Sequence, residues 1–163
     1  MDEAEITEWV AGCQHQLLRS AYLITGDLHR AEDLVQDALV KVALRWSRLR
    51  EGNPTAYART IVANENVSWW RRRRRETVTA DVQDAGDPPI ETEDQLVVRR
   101  ALARLTERQR RVVVLRHFDD LTERETAEIL GISIGTVKSQ NAAALARLRE
   151  GAPELLDLIG GTR

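Results

Sequence analysis

Two clusters in this chain carry side chains that could do chemistry, and in both the chemistry is recognition of a polyanion. The first is Trp69-Trp70 followed without a gap by Arg71 to Arg75. Arginine pairs with phosphate oxygens through two parallel hydrogen bonds. Five consecutive arginines cover the whole circumference of a helix, so several must face any neighbouring polyanion. An indole beside them offers a face on which an unpaired base stacks; two tryptophans that simply belong to the core are the blander alternative. The second cluster is Thr136, Lys138, Ser139 and Gln140 near the start of a helix, with Arg147 further along. These are donors for phosphate and base edges, and glutamine suits adenine through its paired donor and acceptor atoms. Nothing has the pattern of bond-making. No carboxylate cluster, triad or metal set stands out, so no enzyme activity, metal or cofactor is expected. His15, His29 and His117 are scattered and read as surface or packing residues. Cys13 is the only cysteine and has no internal disulfide partner.

The elements that would position these groups are helices. Thr122 is placed to cap one, and Glu125 three residues later completes a capping box. Ile129 and Leu130 close that helix, and Gly131 supplies the left-handed residue that ends it. Ile132 is a buried turn residue, and Ser133 caps the next helix. Ala127, Gly131 and Val137 fall at the spacing of a helix-turn-helix, which makes the second helix a candidate reader of the major groove. The competing reading is an ordinary helical hairpin. Along the second helix, Val137, Asn141, Ala144, Leu145 and Leu148 share one face, while Lys138, Ser139, Ala142, Ala143 and Ala146 lie on the other.

Upstream, residues 4 to 24 form a first helix, and Gly26 and Asp27 separate it from a second over about 28 to 49. Ala31, Leu34, Val35, Ala38, Leu39, Val42 and Trp46 keep helical spacing on its buried stripe. Glu32, Asp33, Gln36 and Asp37 mark its other face; from charge alone these four are a solvated surface. Glu51-Gly52-Asn53-Pro54 breaks the chain, and a third long helix runs from Pro54 or Thr55 to about Glu76. Residues 77–94 are acidic and contain Gly86 and Pro88-Pro89, which reads as a flexible linker. Beyond it Leu96, Val97, Ala101, Leu102 and Leu105 mark a helix, and Thr106 with Gln109 opens another through Val112, Val113 and Phe118. The tail from Gly151, with Leu155, Leu156, Leu158 and Ile159, is a short last turn without evident function.

Charge is unevenly spread. The chain carries a net −2, yet residues 1–75 carry +2, residues 76–95 carry −7, residues 96–150 carry +4 and the tail −1. Two mildly basic blocks are joined by an acidic connector. The fold expected is all-α: two small helical domains on a flexible linker, divided as 1–76, 77–94, 95–150 and a tail 151–163. No signal peptide or membrane span is seen, so no membrane insertion and a cytoplasmic location are expected.

In this order the parts resemble an extracytoplasmic-function (ECF) sigma factor of bacterial RNA polymerase, in the actinobacterial, SigE-like branch of the sigma-70 family. The resemblance covers about residues 5 to 150 and rests on four stretches. They are AEDLVQDAL at 31–39, NPTAYARTIVANENVSWWRRRRR at 53–75, LTERQRRVVVLRHFDDLTERETAEILGISIGTVKSQ at 105–140 and ALARLRE at 144–150. It implies sigma region 2 for 1–76 and sigma region 4, with its helix-turn-helix, for 95–150. It implies that Asp33, Gln36 and Asp37 dock on the β′ coiled coil of core RNA polymerase, which replaces the solvated-surface reading. It implies that Asn53, Asn64, Trp69, Trp70, Arg71, Arg72 and Arg73 open and read the −10 element, with a flipped base held by the protein. The linker would thread toward the polymerase cleft, and Thr136, Lys138, Ser139, Gln140 and Arg147 would meet the −35 element beside the β flap. The resemblance leaves room for an anti-sigma partner without identifying one. Two departures stand out. Ala143 occupies a place usually held by arginine, which removes a phosphate contact, and Asn141 a place usually apolar, which weakens the core stripe.

A stand-alone helix-turn-helix regulator is the second hypothesis, and it differs from the first in having no affinity for polymerase. An enzyme that processes nucleic acid is the third and has least support.

Overall fold

The computed structural model describes residues 2–76 and 91–159, and every regular element among them is helical. The chain divides into two compact units, Met1–Pro88 and Pro89–Arg163. Most of the expected linker, residues 77–90, lies outside the described residues.

The first unit is built on α1 (Asp2–Thr25), α2 (Leu28–Ala43) and α4 (Pro54–Glu76), with a single turn α3 (Trp46–Leu49) between the last two. Gly26, at φ 71°, takes the left-handed backbone that turns α1 into α2. Asp27 then caps α2, its Oδ1 accepting from the Arg30 amide at 3.2 Å. Ala21, Ala31, Ala38 and Ala58 are each fully buried where helices meet, and their small size lets the backbones approach while Leu17, Val35, Val42 and Val62 fill the gaps. Burial pushes the Cys13 thiol up, so it stays protonated at neutral pH.

One continuous helix over 28–49 was expected, and the structure corrects this. Helix α2 stops at Ala43, the Leu44 amide closes on Val40 and Val42, and Arg45 leaves helical geometry at φ −116°, ψ 17°. The break turns Trp46 into the core, where its ring lies 5.6 Å from that of Trp9, tilted by 50°. Both indole N–H groups are satisfied: Trp9 donates to Thr55 Oγ1 at 3.0 Å and Trp46 to Glu5 Oε2 at 3.1 Å. Together they tie α1 to α3 and to the start of α4.

The second unit contains α5 (Glu93–Ala103), α6 (Glu107–Val113), α7 (Glu123–Leu130), α8 (Ile134–Gly151) and α9 (Pro153–Ile159). Three capping boxes start three of these helices: Thr92 with Gln95, Thr106 with Gln109, and Thr122 with Glu125. The first box corrects the linker boundary. Glu93 and Asp94 belong to the first turn of α5, where carboxylates favour the positive end of the helix dipole. Arg110 donates to the carbonyls of Leu102 at 2.9 Å and Leu105 at 3.1 Å, which satisfies the C-terminus of α5. The tail is part of this unit, because Leu155 and Ile159 of α9 are buried against it.

Helix α6 was expected to run through Phe118. Instead Val114–Phe118 forms a π-helical turn, with the Asp119 amide reaching back to the Val114 carbonyl at 3.0 Å. Thr126, on α7, is fully buried, and among the described residues its hydroxyl finds no hydrogen-bond partner. A buried hydroxyl without a partner is destabilising. Thr126→Val keeps the shape and removes that cost. It is expected to stabilise the second unit by about 1 kcal/mol, which raises its melting temperature by roughly 4–8 °C. A lower melting temperature in a thermal scan of the full chain would show that the hydroxyl is bonded in solution.

Candidate nucleic-acid interface

Three surfaces hold the residues singled out in the sequence. On α2, Asp33 and Gln36 are exposed and Asp37 is half-buried. Helical spacing puts positions 33, 37, 40 and 44 on one stripe with Gln36 alongside. Sequence reasoning overlooked the continuation of that stripe: Val40 is 54% exposed and Leu44 81%. Carboxylates repel phosphate, so this acidic and apolar stripe fits a protein partner and not DNA.

Lys41, also overlooked, joins the stripe to α4. Its ammonium lies 2.8 Å from Asp37 Oδ2 and donates as well to Glu65 Oε1. Contact with Glu65, then with Lys41, holds the Asp37 carboxyl below the usual carboxylate range, and Asp37 and Glu65 in turn hold Lys41 above its usual value. The depressed acid contributes stability above its unfolded pKa and loses it as pH falls through the folded one. The raised base contributes below its unfolded pKa and loses it as pH rises through the folded one. Both contributions are in place at neutral pH, so the Asp37–Lys41 pair is insensitive to pH across the physiological range.

The second surface is the start and middle of α4. Asn53 caps this helix, its Oδ1 accepting from the Ala56 amide at 2.9 Å. Asn64 is half-buried and donates from Nδ2 to the Thr60 carbonyl at 2.9 Å. Arg45 sits over the Tyr57 ring, 5.8 Å from its centroid, and reaches the Tyr57 hydroxyl at 2.5 Å. The helix backbone continues to Glu76, but the side chains of Trp69, Trp70, Arg71, Arg72 and Arg73 lie outside the described residues.

The third surface is α8. Gly131 takes the left-handed conformation at φ 66° and ends α7, and Ser133 caps α8 by accepting from the Thr136 amide at 3.0 Å. Ala127, at the crossing, is buried, as are Val137, Ala144 and Leu148 on the inner face. The helix-turn-helix read from the sequence is therefore formed. Thr136, Lys138, Ser139 and Arg147 are exposed and Gln140 is half-buried. Helical geometry divides them: Thr136, Gln140 and Arg147 line one edge of the outer face, Ser139 its middle and Lys138 the far edge. Lys138 lies 3.8 Å from Glu123 of α7, which tempers its charge. The Thr136 hydroxyl is held 2.8 Å from Ser133 Oγ within the cap.

Asn141 does not weaken the core as expected. Its Oδ1 meets His117 Nε2 at 2.9 Å, so both half-buried groups are satisfied and the π-helical turn is tied to α8. No local pattern in the sequence links two residues so far apart.

Among the described residues no helix is long and apolar enough to cross a membrane, and no group of His, Cys, Asp and Glu is arranged to hold a metal ion.

Comparisons with known proteins agree with this arrangement. Residues 9–76 match the sigma-70 region 2 family, and residues 95–148 match sigma-70 region 4. The RNA polymerase sigma-E factor of Streptomyces avermitilis is 41% identical over 150 residues, which span 90% of this chain and 84% of the relative. The ECF RNA polymerase sigma factor SigM of Mycobacterium tuberculosis is 32% identical over 136 residues, 82% of this chain and 69% of SigM. Among solved structures, the sigma factor RpoE of Bartonella quintana, in complex with the anti-sigma factor NepR, superposes with a TM-score of 0.75 at 29% identity. The match covers 90% of this chain and 95% of RpoE.

Proposed function

The chain belongs to the sigma-70 family of RNA polymerase sigma factors, and from that premise we propose which of its surfaces carry the family's work. It is a promoter-specificity subunit: it binds core RNA polymerase, directs it to promoters and helps open the DNA. We divide that work as 1–76 for polymerase and the −10 element, and 95–150 for the −35 element. Sigma factors are regulators without an enzymatic activity of their own, and we read this chain in the same way, in the cytoplasm beside polymerase. The stand-alone regulator has no support in these relatives.

The acidic and apolar stripe of α2 faces polymerase, and the observation that carries this is the exposure of Val40 and Leu44 in line with Asp33 and Asp37. Bare apolar groups beside charges are what a protein contact buries. Asn53, Asn64, Trp69, Trp70, Arg71, Arg72 and Arg73 meet the −10 element. Asn53 supports this by its exposed position at the head of α4, and the arginines by their chemistry toward phosphate. Thr136, Gln140 and Arg147 along one edge of α8, with Ser139 and Lys138, meet the −35 element. The Bartonella relative is held by an anti-sigma factor, and we include such a partner for this chain.

Run-off transcription with core polymerase over a library of promoters tests the reading. The chain should make core enzyme start at a defined subset that shares two elements. Transcripts that do not depend on the chain, or a chain that only blocks them, would restore the regulator hypothesis.

A further inference from the structure

Lys41 is joined to the α2 stripe, and it does not stand alone there. It is held by Asp37 one helical turn earlier, at 2.8 Å, and by Glu65 across the helix interface. Because both carboxylates sit on the same ammonium, Asp37 and Glu65 are brought close together. Two carboxylates held this close repel, so without the ammonium between them they would swing apart. Asp37 would then present no fixed position to a partner. The three side chains are between about a third and a half exposed, so a partner can reach Asp37 without dismantling the packing beneath.

We propose that Lys41 is the positioning residue for the polymerase contact: by holding Asp37 and Glu65 on one ammonium, it keeps Asp37 fixed along the stripe. The assignment rests on the reading that Asp33, Gln36 and Asp37 meet polymerase. Lys41 need not touch polymerase itself. Its other partner lies next to Asn64 on the promoter-reading helix, so the same ion pair fixes α4 against the polymerase-facing helix.

The test measures the affinity of the full chain for purified bacterial core RNA polymerase by competition, for K41M, K41R, E65Q, D37N and the double variant K41M/E65Q. Removing the ammonium leaves an unneutralised like-charge pair, and K41M is expected to bind core roughly tenfold more weakly. K41R keeps the charge and is expected to bind as the parent does. E65Q alone should change little, because Asp37 keeps Lys41. The distinguishing result is K41M/E65Q: with the repelling partner neutral, affinity should return to within about threefold of the parent. A lysine that served only as a strut between α2 and α4, or that touched polymerase directly, would not be rescued by a second loss. Thermal melts of all variants separate misfolding from these effects, since each substitution is at a half-exposed site. If D37N binds core as well as the parent, the reading of the face itself is wrong. If D37N is impaired but K41M is not, or K41M/E65Q stays as weak as K41M, the role given to Lys41 is wrong and the face stands.

Discussion

Replacing Asp33 and Asp37 together with alanine is expected to weaken binding to core RNA polymerase by about 100-fold, or roughly 3 kcal/mol, while helical content stays unchanged. Neither residue is in the core, and Asp37 adds to the fold only through its part-exposed ion pair with Lys41. Both lie on the outer side of α2, opposite the apolar stripe of Ala31, Leu34, Val35 and Ala38, and the Asp27 cap is untouched. The effect should therefore appear in dissociation from polymerase and not in the circular-dichroism spectrum. Removing one partner of a charge pair leaves the other unpaired at the interface, which is why two carboxylates outweigh the area they cover. Co-elution of the double variant with core enzyme, at parental stoichiometry and dilution, would refute the assignment.

The second large effect concerns Arg71, Arg72 and Arg73. Their replacement by alanine should slow promoter opening and flatten its dependence on salt. Each arginine that neutralises a phosphate releases counterions. Three such contacts contribute about 2 to 3 units to the slope of log affinity against log salt. Holoenzyme assembly should be unaffected, because the polymerase-facing stripe is on another helix. Measured on a promoter already melted by mismatches, the defect should shrink if the arginines act mainly in opening, whereas a slope identical to the parent would show that they touch no phosphate.

The helix ends were readable in the sequence because capping is local chemistry. Thr122 with Glu125, Thr106 with Gln109, the left-handed Gly131 and the Ser133 cap all act within a turn of backbone, and all four are formed. The same logic was available for Thr92 and Gln95, but the acidic run around them was read as linker. Carboxylates that look like solvating tail are equally at home in the first turn of a helix, and composition does not separate the two. The break after Ala43 was hidden for a different reason. No glycine or proline marks it, and the apolar period carries on to Trp46, whose indole packs on Trp9. The π-helical turn at Val114–Phe118 is a change of backbone register with no residue type of its own. Of the site, the individual residues were legible and their neighbours were not. Lys41 stands four residues after Asp37, a spacing that pairs charges on a helix, but Glu65 joins them only through the α2–α4 packing. His117 and Asn141 meet only because the turn carrying one is folded against the helix carrying the other.

The two helical modules should recognise a promoter together only when mounted on polymerase. The most direct measurement is fluorescence anisotropy of one labelled duplex promoter, selected by run-off transcription, titrated with the chain alone and then with chain plus core enzyme at equal salt. Weak, sequence-indifferent binding by the chain is expected, and tight, promoter-selective binding once core is present. Tight and selective binding by the chain alone, unchanged by core polymerase, would contradict it.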